Sequence, residues 1–147
     1  MIMTLVKENR KHYLPWLLIA DEQEDMIDKY LERGDMYVLE DDGVKGVCVI
    51  TDEGEGVWEI KNIATDPAAR GKGYGKYMID YLARAYAGKG HTLLVGTGDS
   101  PLTVPFYERC GFTRSHVIKD FFTDNYDHPI FECGIQLKDM VYLKRAL

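Results

Sequence analysis

The chain has 147 residues, of which 46% are apolar and 29% charged, and its formal net charge is −6. This length and composition are typical of one globular domain, and the negative charge argues against nonspecific nucleic-acid binding, although solubility alone would account for it. No apolar run approaches the roughly 20 residues that a membrane span needs, and the N-terminus lacks the pattern of a signal peptide.

The first third of the chain predicts one strand, two helical segments and a hairpin. Pro15 marks a break or a start within the first helical pattern, because proline is tolerated only in the first turn of a helix. The second helical pattern has acidic residues crowded at its start and ends before Gly34. Asp41-Asp42-Gly43 is typical of a hairpin turn. The predicted elements are a strand over residues 3–6, a helical segment over 8–20, a helix over 21–33 and hairpin strands over 35–40 and 44–51.

The middle of the chain has a glycine-rich turn between a predicted strand and a predicted helix. Residues 57–64 predict the strand, Thr65-Asp66-Pro67 a turn, and residues 76–86 have apolar side chains at helical spacing. Between them lies Arg70-Gly71-Lys72-Gly73-Tyr74-Gly75. The first N–H groups of a helix have no internal partner and lie at the positive end of its dipole. Because glycines allow positive φ and close approach, this turn is suited to bind a phosphate or pyrophosphate.

The spacing of this turn excludes two other phosphate-binding patterns. A Walker A loop would need glycine at Arg70 and a hydroxyl residue at Tyr77. A dinucleotide fingerprint needs Gly-x-Gly-x-x-Gly, whereas Gly71, Gly73 and Gly75 are each separated by one residue. The spacing instead resembles Arg-x-x-Gly-x-Gly, a turn known for holding the pyrophosphate of coenzyme A. The alternative is a helix start whose glycines serve only tight packing.

A short strand, a loop and a short helix follow. Residues 91–96 predict an apolar strand and residues 96–101 a loop. Thr103 is the predicted N-cap of the helix, which places the following proline in its first turn. The helix ends in Phe106-Tyr107-Glu108-Arg109-Cys110-Gly111-Phe112, where Gly111 has the position that a helix C-cap prefers.

The last third predicts two strands on either side of an aromatic segment. Residues 114–119 and a stretch within 135–143 predict the strands. Residues 120–132 mix aromatic, acidic and turn residues, and we expect them to form a lid or substrate wall, with a dimer contact as a further option. The chain has no repeat, low-complexity tract or linker, so we expect one domain over residues 1–147. Its three cysteines form no Cys-x-x-Cys pair, which favours a reduced, cytoplasmic location.

The glycine turn and the tyrosine helix together resemble the motifs of the GNAT superfamily of acyl-CoA-dependent N-acetyltransferases. Residues 69–75 resemble its acetyl-CoA-binding signature, and residues 106–112 resemble its second signature, whose tyrosine lies near the CoA sulfur. The resemblance implies an α/β (α+β) fold with a mixed, mostly antiparallel central sheet and about four flanking helices. It also implies that the sheet splits into a V between the strands that end near Ala64 and Gly96, with pantetheine entering the V like an extra strand.

The resemblance implies acetyl-CoA as cosubstrate and a set of residues that bind it. Main-chain groups at Ile63 and Thr65 would bond the pantetheine amides, and the N–H groups of residues 72–76 would bond the pyrophosphate. Many family members carry an asparagine before the tyrosine helix, where this chain has Gly98-Asp99-Ser100-Pro101, so Ser100 is the expected substitute. The expected cofactor-binding residues are Ile63, Ala64, Thr65, Arg70, Gly71, Lys72, Gly73, Tyr74, Gly75, Lys76, Ser100 and Tyr107.

Two residues are the main candidates for acid–base catalysis. Tyr107 matches the family tyrosine, and a phenol with an ordinary pKa of about 10 can give a proton to the leaving sulfur at neutral pH. The alternative for Tyr107 is a core aromatic role. Glu59 lies eleven residues before Arg70, where some family members carry a base glutamate, but a strand glutamate equally serves as an ion-pair partner. Weaker candidates are Asp99, His116 and Glu132 as bases and the N–H of Val95 or Gly96 as an oxyanion donor.

The sequence therefore predicts an acetyl-CoA-dependent N-acetyltransferase that acts on a primary amine of a small molecule or peptide. The alternative is a noncatalytic acyl-CoA-binding regulatory module of the same fold. We expect no metal, no nucleic-acid or membrane partner, and either a monomer or a homodimer. The negative charge mildly favours a cationic acceptor, but polyamines, antibiotics, amino acids and protein N-termini all fit. Aromatic residues that either line an acceptor pocket or pack the ends of the sheet are Tyr13, Trp16, Trp58, Phe121, Phe122 and Tyr126.

Overall fold

The computed structural model describes residues 1–147 and contains nine strands and five α-helices. The strands are β1 (Ile2–Val6), β2 (Asp35–Glu40), β3 (Val44–Gly54), β4 (Val57–Thr65), β5 (Thr92–Gly98), β6 (Thr113–Ile118), β7 (Phe131–Glu132), β8 (Ile135–Gln136) and β9 (Met140–Ala146). The helices are α1 (Leu14–Ala20), α2 (Glu24–Asp28), α3 (Tyr74–Tyr86), α4 (Val104–Arg109) and α5 (Phe121–Asn125), and single 3₁₀ turns cover Arg10–Tyr13 and Pro67–Ala69. None of the helices has the length and apolar character required to cross a bilayer.

Seven strands form one sheet in the order β1-β2-β3-β4-β5-β9-β6. All neighbouring strands are antiparallel except β4 and β5, which confirms the mixed, mostly antiparallel sheet. The parallel pairing joins only Val57–Ile60 to Thr92–Val95. Beyond Ile60, β4 pairs with β3 alone, so its other edge is open. The expected V is therefore present, and it opens between residues 61–65 and the end of β5.

Helices cover both faces of this sheet. On one face, α3 buries Met78 and Leu82 in a core that includes Ile60 of β4. On the other face, α1 and α2 belong to a second core that includes Ala64 of β4. Residues two or four apart on a strand normally share a face, but the register between β3 and β4 shifts between Ile60 and Asn62. This bulge at Lys61 turns Asn62 and Ala64 toward α1.

Two expected element limits were wrong, and one helix was not expected. The helix predicted over residues 21–33 is only α2, because Asp21 caps α1 and its carboxylate accepts hydrogen bonds from later tyrosines. The last strand is β9 rather than a stretch within 135–143, because β8 pairs with β7 in a separate hairpin. The unexpected helix is α5, which lies in the aromatic segment.

Candidate active site

A cavity of about 800 Å³ lies where β4 and β5 separate. Its wall includes the open edge of β4, the N-terminus of α3, helix α4, the link between α1 and α2, and much of the aromatic segment. We call the part lined by residues 63–65, 70–71 and 73–76 the glycine end. We call the part lined by Asp21, Glu22, Asn62 and Glu132 the acidic end.

The backbone of the glycine turn leaves donors free at the glycine end. Gly71 and Gly73 have φ of +78° and +84°, a region that favours glycine. A Cβ atom at either position would meet no heavy atom within 4 Å, so the space beside the turn is open. The first helical hydrogen bond runs from Tyr77 N–H to the Gly73 carbonyl, at 3.0 Å. The N–H groups of residues 74–76 therefore lie at the positive helix end without helical partners, as an anion site requires.

Side chains hold the turn in place and surround it with positive charge. The Tyr74 hydroxyl donates to Asp41 of the β2–β3 hairpin at 2.7 Å. Arg70 and Lys72 are exposed, whereas Lys76 Nζ lies 2.6 Å from Asp80, which offsets part of its charge. Together these residues and the free N–H groups fit an extended phosphate-bearing ligand.

The open edge of β4 continues the glycine end toward the middle of the cavity. Ile63, Ala64 and Thr65 line the wall, and their strand has no neighbour on the β5 side. Gly75 lies against helix α4, since a Cβ atom there would be 3.0 Å from Phe106. A ligand with amide groups can therefore lie along this edge, with its far end directed toward α4.

Helix α4 places Tyr107 in the wall of the cavity. The helix begins after Thr103, as predicted, and Gly111 has a φ of +92° at its C-terminal end. The Tyr107 ring packs between Phe106 and Phe112, with centroids 5.2 and 5.8 Å away. Burial raises the pKa of Tyr107 above its ordinary value, and the hydroxyl has no hydrogen-bond partner in the chain. Tyr107 is thus a protonated, unengaged donor beside the cavity.

Glu59 is buried in a polar group next to the cavity rather than in its wall. It is 6% exposed and accepts a hydrogen bond from the Tyr142 hydroxyl at 3.1 Å. Lys61 Nζ also lies 3.1 Å from Glu59. Glu59 and Lys61 are two residues apart on β4, and Lys61 itself lines the cavity. Glu59 therefore reaches the cavity only through Lys61 or through water.

Several other predicted site residues lie outside the cavity wall. Ser100, the expected pantetheine contact, is 2% exposed, and its hydroxyl accepts from Leu102 N–H. Asp99 is exposed and lies 3.6 Å from Arg114. His116 stacks on Tyr142 with ring centroids 4.7 Å apart. Of the six aromatic candidates, only Phe122 and Tyr126 line the cavity.

The acidic end contains residues that the sequence did not single out. The Asp21 carboxylate accepts from Tyr30 at 2.8 Å and from Tyr126 at 2.5 Å. Asn62 Nδ2 donates to Tyr30 Oη at 3.1 Å, which joins β4 to the same network. The available signal for Asn62 was a polar residue within an otherwise apolar strand. No such signal marked Asp21, because its partners come from distant segments.

Charge is divided between the two ends of the cavity. Three cationic residues of the wall, Arg70, Lys76 and Arg109, lie near α3, and the fourth, Lys61, is paired with Glu59. At the other end, burial raises the pKa of Asp21 and of Glu132, which also feels the negative charge of Glu22. The negative charge of Glu132 likewise contributes to the raised pKa of Tyr107. Tyr107 thus lies between an electropositive site and an electronegative site.

Comparisons with known proteins agree with this geometry. The profile of the family described as "Acetyltransferase (GNAT) domain" matches residues 32–114. Over 142 residues the chain is 37% identical to the uncharacterized N-acetyltransferase YvbK of Bacillus subtilis (strain 168), a match that covers 95% of this chain and 92% of that protein.

Two solved structures with ligands are similar over nearly the whole chain. A Bacillus subtilis acetyltransferase in complex with CoA has 36% identity and a TM-score of 0.88, with 99% of this chain and 97% of that chain covered. A GNAT family acetyltransferase from Elizabethkingia anophelis with acetyl-CoA bound has 30% identity and a TM-score of 0.94, with the same coverage of 99% and 97%.

Proposed function

The chain belongs to the GNAT acetyltransferase family, with acetyl-CoA as its cosubstrate, and we propose that it acetylates a primary amine of a small molecule or peptide. The observation that carries the proposal is one cavity with two chemically different ends and Tyr107 between them. A phosphate-bearing acyl donor matches the glycine end, and an amine matches the acidic end.

We assign the glycine end to acetyl-CoA. The free N–H groups of residues 74–76 and the charge of Arg70 and Lys72 would bind the pyrophosphate. Main-chain groups of Ile63 and Thr65 on the open edge of β4 would bond the pantetheine amides. This arrangement directs the thioester toward Tyr107.

Acetyl-CoA supplies a thioester whose carbonyl carbon accepts the lone pair of a neutral amine. An N–C bond forms and the C–S bond breaks, so that its electron pair leaves on sulfur. Tyr107 donates its hydroxyl proton to that sulfur, a role that suits a buried phenol held in its protonated form. The proton lost by the amine must be taken by a base.

We retain Glu59 as the proposed base, acting through water or Lys61. Its carboxylate is held by Tyr142 and Lys61 beside the wall, close to the point where β4 and β5 part. The competing role is structural, since the same two contacts would satisfy a buried carboxylate that takes no part in the reaction.

Three further parts of the proposal concern the protein as a whole. The cysteines are free thiols, two of them buried, which supports a cytoplasmic location. The segment 120–132 contributes Phe122, Tyr126 and Glu132 to the wall, which supports its role as a substrate wall. Relatives that match 95% or more of the chain support one acetyltransferase domain over residues 1–147.

The test is thiol release from acetyl-CoA with a panel of amines, combined with mass spectrometry of the acceptor. We expect release that depends on a primary amine, and a product acetylated on nitrogen. Thiol release only with alcohols, thiols or water would contradict the proposal. Tight CoA binding without turnover of any acceptor would instead favour a noncatalytic module.

A further inference from the structure

Resting on the proposed function, we propose that the acidic end of the cavity holds a second cationic group of the acceptor, so that the favoured substrates are diamines. A diamine here means a molecule with two amino groups joined by an apolar chain. One amino group would react near Tyr107, and the other would remain charged among Asp21, Glu22, Asn62 and Glu132.

The side-chain oxygen of Asn62 lacks a hydrogen-bond donor, and this points to a missing ligand group. It lines the cavity and is 3% exposed, yet its Oδ1 has no hydrogen-bond partner. Its Nδ2 donates to the Leu17 carbonyl at 3.0 Å, and because a carbonyl only accepts, this contact fixes which end of the amide is oxygen. A buried acceptor without a donor costs about 1–3 kcal/mol. An N–H group of a bound ammonium, or a water that it carries, would supply the donor.

Asp21 is held rigidly beside Asn62. Each of its carboxylate oxygens accepts from a tyrosine hydroxyl, Tyr30 on one side and Tyr126 on the other. The Tyr30 hydroxyl bridges Asp21 and Asn62, so the two groups keep a fixed relative position. Burial raises the pKa of Asp21, and a neighbouring cation would offset that unfavourable burial of charge.

Glu22 and Glu132 add negative charge that the chain offsets only in part, through Arg70. Neither carboxylate forms an ion pair within 4.0 Å, and each raises the local negative potential at the other. The cations of the nearby wall are Arg70, which acts on Glu132 from the glycine end, and Lys61, which is already paired with Glu59. A phosphate-bearing ligand at the glycine end would draw Arg70 toward itself and leave the acidic end more negative.

The chemistry of the reaction explains why a second charge is needed. The attacking nitrogen must be neutral when it reacts, so it cannot be the cation that these carboxylates hold throughout. Apolar side chains also line the cavity, among them Phe122, Ile130 and Leu137, which form a small cluster of their own. Such a surface suits the methylene groups that would join two amines.

Three acceptors of equal chain length test the proposal at saturating acetyl-CoA: 1,4-diaminobutane, butylamine and 4-aminobutanoate. We expect kcat/KM for the diamine to exceed that for butylamine by about tenfold or more, as one well-placed charge contact allows. 4-Aminobutanoate, whose far end is anionic, should be the poorest. Equal kcat/KM for the diamine and butylamine would overturn the proposal while leaving the amine acetyltransferase intact.

Two variants identify the residues responsible. E22Q and E132Q should each lower kcat/KM for 1,4-diaminobutane about three- to tenfold more than they lower kcat/KM for butylamine. E108Q is the matched control, because Glu108 is exposed on α4 outside the cavity and loses the same charge. Equal losses with both amines in E22Q would contradict a cation subsite.

Binding provides a readout that does not depend on turnover. Calorimetry with CoA-saturated protein should show 1,4-diaminobutane binding more tightly than butylamine, and this difference should shrink in E22Q but not in E108Q. If no amine supports thiol release but this binding difference is found, the proposed function fails and the cation subsite stands. No difference in binding would overturn the subsite.

Discussion

The glycine end and the acidic end of the cavity present different parts of the chain to their proposed ligands. The glycine end offers main-chain N–H groups of residues 74–76 and the open edge of β4. The acidic end offers side chains, Asp21, Glu22, Asn62 and Glu132, which come from three separate regions. Main-chain recognition constrains the backbone and therefore requires glycine at particular positions. Side-chain recognition leaves the backbone unconstrained, which allows the acceptor specificity to change while the cosubstrate site is kept.

The largest effect is expected at Tyr107, where the two ends meet. Y107F keeps the buried ring but removes the hydroxyl, so kcat should fall by about 10²- to 10⁴-fold with little change in the KM for acetyl-CoA. Thiol release measures this. Y81F is the matched control, because Tyr81 of α3 packs against Tyr37 and does not line the cavity. An unchanged kcat in Y107F would limit Tyr107 to a packing role.

The pH dependence of the wild-type enzyme follows from the same residue. Burial raises the pKa of Tyr107, so the proton donor remains protonated to higher pH than an exposed phenol with a pKa of about 10. We therefore expect kcat to show no decrease on the alkaline side up to pH of about 10. A kcat that falls between neutral pH and this value, and does so only when Tyr107 is present, would contradict this assignment.

Variants of Glu59, which lies outside both ends, test whether this residue is the base. If it is the base, E59Q should lower kcat by about 100-fold, and Y142F, which removes only the 3.1 Å hydrogen bond, should change kcat by less than about fivefold. If its role is structural, both variants should lower the free energy of unfolding and leave kcat nearly unchanged. Steady-state kinetics and thermal unfolding of both variants separate these outcomes.

Gly73 tests main-chain recognition at the glycine end. G73V places a β-branched residue at a φ of +84°, which costs about 1–3 kcal/mol or displaces the turn. The Kd for CoA should rise about 10- to 100-fold, whereas K72A, which removes only an exposed charge, should raise it less than about threefold. Calorimetry measures both. Similar losses in the two variants would mean that side-chain charge, not the backbone, holds the pyrophosphate.

The smallest effect is expected from Y126F at the acidic end. The variant removes the 2.5 Å hydrogen bond to Asp21 but keeps the ring beside Phe122. We expect the KM for the acceptor to rise about two- to fivefold and the KM for acetyl-CoA to stay unchanged. The free energy of unfolding should fall by about 1 kcal/mol. A change in the acetyl-CoA KM of the same size would show that the two ends are not independent.

The sequence predicted the glycine end better than the acidic end. The reason is that the glycine end is built from contiguous residues, whereas the acidic end is built from side chains of separate regions. The turn from Arg70 to Gly75 and the helix with Tyr107 are contiguous motifs, and the structure places both in the cavity wall. Ser100 was expected to contact pantetheine but is buried outside the wall and accepts from Leu102 N–H, because sequence does not specify which way a loop side chain faces.

The sequence by itself determined much of the local backbone: a helix directly after the glycine turn, positive φ at glycines of that turn, and the positions of β4 and β5 to within two residues. These features follow from interactions between residues near one another in the chain. Only the tertiary structure decided that Asp21, Asn62 and Tyr126 meet, since they are joined by hydrogen bonds between segments far apart in sequence. The tertiary structure also decided that Asn62 Oδ1 has no hydrogen-bond donor. The burial of Asn62 and its hydrogen bond to Leu17 depend on how α1 packs against the sheet.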